Sequence, residues 1–269
     1  MKRLCVFLFG CVTFHVCLQA AQLPVTLNSD VGFAVLASSS VTNTGATVVN
    51  GNVGVSPGTS VSGFLPGRVA GGWGIYNATP GAAATAQSDL TTAYNDAAGR
   101  TAVPSAVGNV AGDIGGQTLT PGLYNSTSSL GISGTLTLNG SATSVFIFQI
   151  GSTLITANGS SVVLEGGVTA ANVFWQVGSS ATLGTGSTFN GTIMALASVT
   201  INTGATLNGR ALASNGAVTM DTNPIAEPGP PITAPVDIPT LSTWGLAVLA
   251  LLLLLAGWWS LRFSREAHP

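Results

Sequence analysis

The chain has 269 residues, 46% of them hydrophobic and only 6% charged, where an ordinary globular domain carries about a quarter charged. Such hydrophobicity excludes a disordered polyelectrolyte. A net charge of −2, with Lys2 the sole lysine, leaves no electrostatic footprint for nucleic acid.

At the N-terminus, Lys2 and Arg3 precede an apolar run from Leu4 to Leu18, with small residues at Ala20 and Ala21. This is the layout of a secretory signal peptide, assigned to residues 1–21. A lipoprotein alternative at Leu8-Phe9-Gly10-Cys11 is disfavoured by the bulk of Phe9. All three cysteines (Cys5, Cys11, Cys17) lie in this segment, so the exported product is expected to lack disulfides and Cys-based metal sites.

Residues 22–225 form the working domain. Its 35-glycine background, rich in Thr, Ser, Asn and Val, predicts many short strands joined by tight turns. An early Thr-Gly-x-Thr unit stands at Thr44-Gly45-Ala46-Thr47. From Gly81 to Arg100 the pattern changes to an alanine-rich stretch. There Ala83, Ala86, Leu90, Ala93, Tyr94 and Ala97 fall at helical spacing, which predicts one amphipathic helix over about 82–98, stopped by Gly99.

Repeats follow. Aligned on an apolar residue, Ser152-Thr153-Leu154-Ile155-Thr156 matches Ala181-Thr182-Leu183-Gly184-Thr185, then Val199-Thr200-Ile201-Asn202-Thr203 and Val218-Thr219-Met220-Asp221-Thr222. The last two steps, Thr182 to Thr200 and Thr200 to Thr219, are 18 and 19 residues. Spacing so short and regular predicts a solenoid whose coils place strands on successive faces. Thr153 to Thr182 is 29 residues, which predicts an excursion near "EGGVTAAN". Phe148-Gln149-Ile150-Gly151-Ser152 is also echoed by Trp175-Gln176-Val177-Gly178-Ser179. Strand alternation turns Leu154, Leu183, Ile201 and Met220 inward and Thr153, Thr182, Thr200 and Thr219 outward. Thr156, Thr185, Thr203 and Thr222 form a second expected row, and Thr188 with Thr206 a third.

After the domain, residues 226–237 are proline-rich and read as an extended linker. Residues 238–269 then contain "WGLAVLALLLLLAGWWSL", Trp244 to Leu261, without a charge. With its flanks this approaches the ~20 residues needed to span a bilayer. Tryptophans sit at its ends, and Arg262 and Arg265 place the short tail on the cytoplasmic side. The order Ile238-Pro239-Thr240-Leu241-Ser242, Trp244-Gly245, apolar span and Arg pair resembles the bacterial Ile-Pro-Thr-Leu C-terminal sorting domain. That resemblance implies an exported protein, anchored at least transiently in the membrane and processed by an exosortase-like enzyme.

The stretches "FAVLASSSVTNTGATVVNGNVGVSPGTSVSGF", "ATAQSDLTTAYNDAAGR", "GGQTLTPGLYNSTSSLGISGTLTL", "VFIFQIGSTLITANGSSVVL" and "NVFWQVGSSATLGTGSTFNGTIMA" resemble successive motifs of the microbial ice-binding protein family. The resemblance implies a mostly β fold: a right-handed discontinuous β-solenoid of triangular cross-section with one long α-helix alongside, its N- and C-terminal parts interleaved. It also implies ice as the partner, met on a flat Thr-rich face. The candidate ice-binding residues are Thr153, Thr156, Thr182, Thr185, Thr188, Thr200, Thr203, Thr206 and Thr219. Thr185-Gly186-Ser187-Thr188 and Thr203-Gly204-Ala205-Thr206 match the family's Thr-Ala/Gly-x-Thr/Asn pattern, whereas Thr156-Ala157-Asn158-Gly159 departs at its last place.

Catalysis is disfavoured on the residues alone. Residues 22–225 contain no Lys, His or Cys. Their acids (Asp30, Asp89, Asp96, Asp113, Glu165, Asp221) are scattered, so neither an acid/base pair nor a metal or cofactor site is implied. The alternative to ice binding is a non-catalytic surface adhesion or matrix protein that works through exposed aromatics such as Trp73 and Tyr76. The N-terminal reading is directly testable: intact-mass measurement of the exported protein is expected to show the first ~20 residues gone, and a product retaining Lys2 and Arg3 would refute the signal peptide.

Overall fold

A computed structural model describes residues 22–77, 81–101 and 107–233. The signal peptide, the sorting segment and Trp244–Leu261 lie outside the described residues, among which no helix is long and apolar enough to cross a membrane. The fold is mostly β, in two parallel sheets of 15 and eight strands, with one long helix.

The two sheets make three faces. The eight-stranded sheet is one of them. The 15-stranded sheet is bent into the other two along its long strands Thr188–Ala195 and Thr206–Ala213. The first half of Thr206–Ala213 pairs with Pro224–Ala226, the second half with Phe33–Ala37. Glycine is required at the bend: Gly191 has φ +117°, and a Cβ on Gly209 would run into the Gly191 carbonyl.

Chain order and spatial order differ. Residues 107–226 stack rung on rung in sequence order. The N-terminal coils then add beyond the last of these: Ser40–Asn43 pairs with Val218–Met220, and Val48–Asn50 with Pro224–Ala226. Ser60–Ser62 and Arg68–Ala70 close that end. The interleaving that the family resemblance implies is present.

Rungs in register bring like side chains together. Tyr124, Phe148 and Trp175 occupy equivalent positions and stack at centroid separations of 5.1 and 3.9 Å, the second pair within 7° of parallel. Trp175 also meets Phe189, and its indole N–H donates to the Asn190 carbonyl at 3.1 Å. This satisfied aromatic stack is the centre of the core.

The helix spans Ala82–Gly99, so Gly99 is its last residue and not a stop beyond it. Ala83, Ala86, Leu90, Ala93 and Ala97 are buried against Leu36, Leu123, Ile147, Phe174, Met194 and Leu212, outward side chains of one solenoid face. Tyr94 is only half-buried; its hydroxyl accepts from Gln176 Nε2 at 2.8 Å. Gln149 Nε2 donates to the Ala97 and Arg100 carbonyls, both at 2.8 Å, and so satisfies acceptors that the helix end leaves open.

A buried cation ties the chain ends to this body. Arg210 has no exposed surface and donates to Glu227 Oε2 (3.1 Å), the Gly229 carbonyl (2.6 Å) and the Val31 carbonyl (2.8 Å). Ile232 N–H donates to Asn172 Oδ1 at 2.8 Å. Residues 227–232, read from sequence as the start of an extended linker, are therefore bound along the solenoid. Desolvation lowers the Arg210 pKa to about 10, opposed by Glu227 and Asp30.

Asp30 is wholly buried, with no hydrogen-bond partner for either carboxyl oxygen among the described residues. Burial pushes its carboxyl up to about 8 from 3.8, Asp89 adds to the rise and Arg210 opposes it. The folded chain thus keeps a proton that the unfolded chain loses, and stability is expected to fall as pH rises from about 4 to about 8, by up to ~1.4 kcal/mol per pH unit. Asp30→Asn is expected to flatten this profile and raise the melting temperature at neutral pH, with little effect at acid pH. Thermal melts across pH check it.

Candidate functional site

The three faces differ in what they offer. One is covered by the helix. A second carries mixed chemistry along its strands: Arg68 at one end, Pro224 and Val48 in the middle, Glu165 near the other end. The eight-stranded face is open, with small side chains in register.

Its central outward column is set by strand pairing: Ser62, Thr42, Thr219, Thr200, Thr182, Ile155, Gly131, Asp113. Successive members lie about 4.8 Å apart, the parallel strand spacing. Beneath them Leu183, Ile201 and Met220 are in register and buried, with Ala181, Val199 and Val218 in a second inner column. A flanking outward column is made by the residues that precede each strand: Thr153, Ser180, Ser198 and Ala217. Each of their carbonyls accepts the N–H that opens the neighbouring strand, as in Ala181 N to Ser198 O at 2.9 Å.

This geometry keeps part of the sequence reading and corrects the rest. Thr182, Thr200 and Thr219 stand in one outward column, as expected. Thr153 does not share it: Leu154 pairs with Ala181 and Ile155 with Thr182, so the rung at 152–156 is shifted by two residues. Thr156 is therefore inside, 4% exposed. Its Oγ1 accepts the Gly184 N–H at 2.8 Å and donates to Ser187 Oγ at 3.4 Å. Thr185 and Thr203 are exposed, on the corner that leaves the face. Thr188 and Thr206 pair with one another past that corner, on the mixed face. The Thr-Gly-x-Thr units thus bend around an edge of the solenoid. The 29-residue step is explained too: Ser161–Glu165 and Val173–Val177 are separate strands joined through Gly166, Gly167 and a short 3₁₀ turn, where later rungs use one bent strand.

Thr42 and Ser62 are contact candidates that sequence reasoning missed. A signal existed: Val41-Thr42, Val199-Thr200 and Val218-Thr219 open three adjacent strands. Ser40-Val41-Thr42-Asn43-Thr44-Gly45-Ala46-Thr47 also repeats residues 198–206 with one residue deleted.

Charge reaches this face only at its margins. Asp221, on the corner, accepts from Thr203 Oγ1 (2.5 Å) and Thr222 Oγ1 (3.0 Å), and the Thr203 hydroxyl, then that of Thr222, holds its carboxyl below the usual range. Asp113, at the far end, accepts from the Gly115 and Ser133 amides at 2.8 and 2.9 Å. The Ser133 hydroxyl contributes most to lowering its pKa. Among the described residues no group of three His, Cys, Asp or Glu is placed to hold a metal ion. A groove of about 460 Å³ lies against Leu23, Val25, Leu27 and Pro231, and no acid, base or nucleophile lines it.

The sequence profile described as ice-binding-like matches residues 35–226. The chain belongs to the ice-binding-like family. It is 46% identical over 211 residues to an ice-binding protein of Nostoc sp. (strain HG1), covering 77% of this chain and 76% of the relative. An ice-binding protein of Flavobacterium frigoris (strain PS1) is 37% identical over 213 residues, with 76% of each chain covered. Among solved structures, an ice-binding protein from an Antarctic biological consortium superposes with a TM-score of 0.73 at 52% identity, over 77% of this chain and 92% of that one. The ice-binding protein of the Antarctic ascomycete Antarctomyces psychrotrophicus gives 0.71 at 39% identity, over 76% and 98%. This family is non-enzymatic. Residues 238–263 separately match the IPTL-CTERM motif, which points to a secreted, envelope-associated chain.

The inward placement of Thr156 has a measurable consequence. Thr156→Val is expected to leave the Gly184 N–H unpaired and cost about 1–3 kcal/mol of stability, while leaving any ice activity unchanged. Chemical denaturation and thermal hysteresis together check this, and a loss of activity without destabilisation would place Thr156 in the contact surface after all.

Proposed function

We propose that this protein is an exported ice-binding protein, with antifreeze or ice-recrystallisation-inhibiting activity, that engages ice through the eight-stranded face. The solenoid is taken as right-handed, discontinuous and triangular in section. Trp244–Leu261 serves at least transiently as a membrane anchor and the Ile-Pro-Thr-Leu segment as the substrate of an exosortase-like sorting enzyme. The single observation that carries the ice reading is the in-register hydroxyl column on an open, uncharged sheet, in a chain of the ice-binding-like family.

The physical reason is the nature of the ligand. Ice is an extended lattice of water, so a pocket cannot enclose it; a flat, rigid surface with a repeating pattern can match it. Strand spacing supplies the repeat, and close packing beneath supplies rigidity. Threonine suits such a surface: its methyl disfavours liquid hydration while its hydroxyl holds ordered water. Its stiff χ1 limits the entropy lost on contact. A charged group would hold its own hydration shell, which is why the marginal positions of Asp113 and Asp221 favour the reading.

Thr200 is central in the column, so Thr200→Tyr is expected to abolish thermal hysteresis and ice shaping. Its effect on stability should stay within about 0.5 kcal/mol, the usual range for a solvent-facing substitution. Full activity in that variant would move ice binding to another face, and a wild type without ice activity would refute the function.

A further inference from the structure

The eight-stranded face is not chemically uniform. From one end its central column reads Ser62, Thr42, Thr219, Thr200, Thr182, then Ile155, Gly131, Asp113. Five successive rungs present a hydroxyl and the next three present none. Five hydroxyls at about 4.8 Å intervals extend roughly 19 Å.

Each of the three remaining rungs fails the surface requirement differently. Ile155 is 51% exposed and branched like threonine, but has no hydroxyl to hold a water molecule. Gly131 leaves a notch at its place. Asp113 is exposed, and its carboxylate is bound to the Ser133 and Gly115 amides, fixed as a charge at that end of the sheet.

The hydroxyl part is also assembled from two distant parts of the chain. Thr182, Thr200 and Thr219 come from residues 181–220, while Thr42 and Ser62 come from residues 40–62 and meet them only because Val41 and Thr42 pair with Val218 and Thr219. The flanking column follows the same division. Ser180, Ser198, Ala217 and Ser40 lie beside the hydroxyl rungs and bear no group larger than a hydroxymethyl.

We propose that ice contact is confined to the five-rung hydroxyl half of this face, so that Thr42 and Ser62 from the N-terminal coils are contact residues and Ile155 marks the boundary of the patch. This inference rests on the ice-binding reading above. In it the centre of the contact is Thr219, between Thr200 and Thr42, and the rungs of Ile155, Gly131 and Asp113 act as scaffold.

The test uses the full chain with Thr42→Tyr, Ile155→Tyr and Ile155→Thr, each checked by circular dichroism and thermal melting and read by thermal hysteresis and ice shaping. Loss of hysteresis in Thr42→Tyr with retention in Ile155→Tyr is expected. Ile155→Thr, which exchanges one β-branched side chain for another and adds a sixth hydroxyl rung, is expected to raise hysteresis above wild type. Should Thr42→Tyr fail to fold, Thr42→Val keeps the shape, removes only the hydroxyl and is expected to lower hysteresis. Loss of activity in Ile155→Tyr, or full activity in both Thr42 variants, overturns the confined patch while leaving ice binding by this protein intact. A wild type with no hysteresis overturns both.

Discussion

Backbone hydrogen bonding between parallel strands, one rung to the next, is the constraint on which the rest of this structure depends. It fixes the separation of neighbouring rungs and sets which residue stands over which. Once Thr182 pairs with Thr200 and Thr200 with Thr219, their side chains must emerge in line, and Leu183, Ile201 and Met220 must be buried in line behind them. The same rule stacks Tyr124, Phe148 and Trp175 inside. A change of register by one residue would exchange the inner and outer sets, so the core enforces the surface pattern.

The three faces then divide the work. One takes the helix, whose alanines permit close approach to the bulky outward residues Phe174, Ile147 and Met194. Gln149 closes the helix end, and Arg210 joins the N-terminal turn and the segment after the last strand to the rung beneath. These polar contacts are buried and largely satisfied; Asp30, within the same region, is the exception. With the chain ends and the helix held elsewhere, the eight-stranded face is left open and free of large features, apart from the exposed Ile155.

Much of this was legible in the chain itself. The alanine-rich break gave the helix within a residue or so, because helical spacing of apolar residues is a local property. The 18- and 19-residue steps gave the correct column for Thr182, Thr200 and Thr219. At the earlier rung two sequence signals disagreed. The threonine alignment gave a step of 29 residues, whereas the echo of Phe148-Gln149-Ile150 in Trp175-Gln176-Val177 gave 27, and the strands follow the echo. The buried residues set the register there because an aromatic stack tolerates no slip, while an exposed threonine does. That is why Thr156, outwardly similar to Thr185, became an internal hydrogen-bonding group.

The sequence by itself determined the composition of the coils, their approximate period, the helix, the family and the absence of catalytic chemistry, because these reside in residue type and local spacing. Only the tertiary structure decided which threonines share a face. Thr188 and Thr206 were turned onto a second face by the corner at Gly186 and Gly204, whose positive φ values bend the chain there. Thr42 and Ser62 were brought beside Thr219 across more than 150 residues of chain. Hydrogen bonds between rungs act without regard to sequence separation, so the membership of a surface column is settled by pairing, and pairing is a property of the assembled fold.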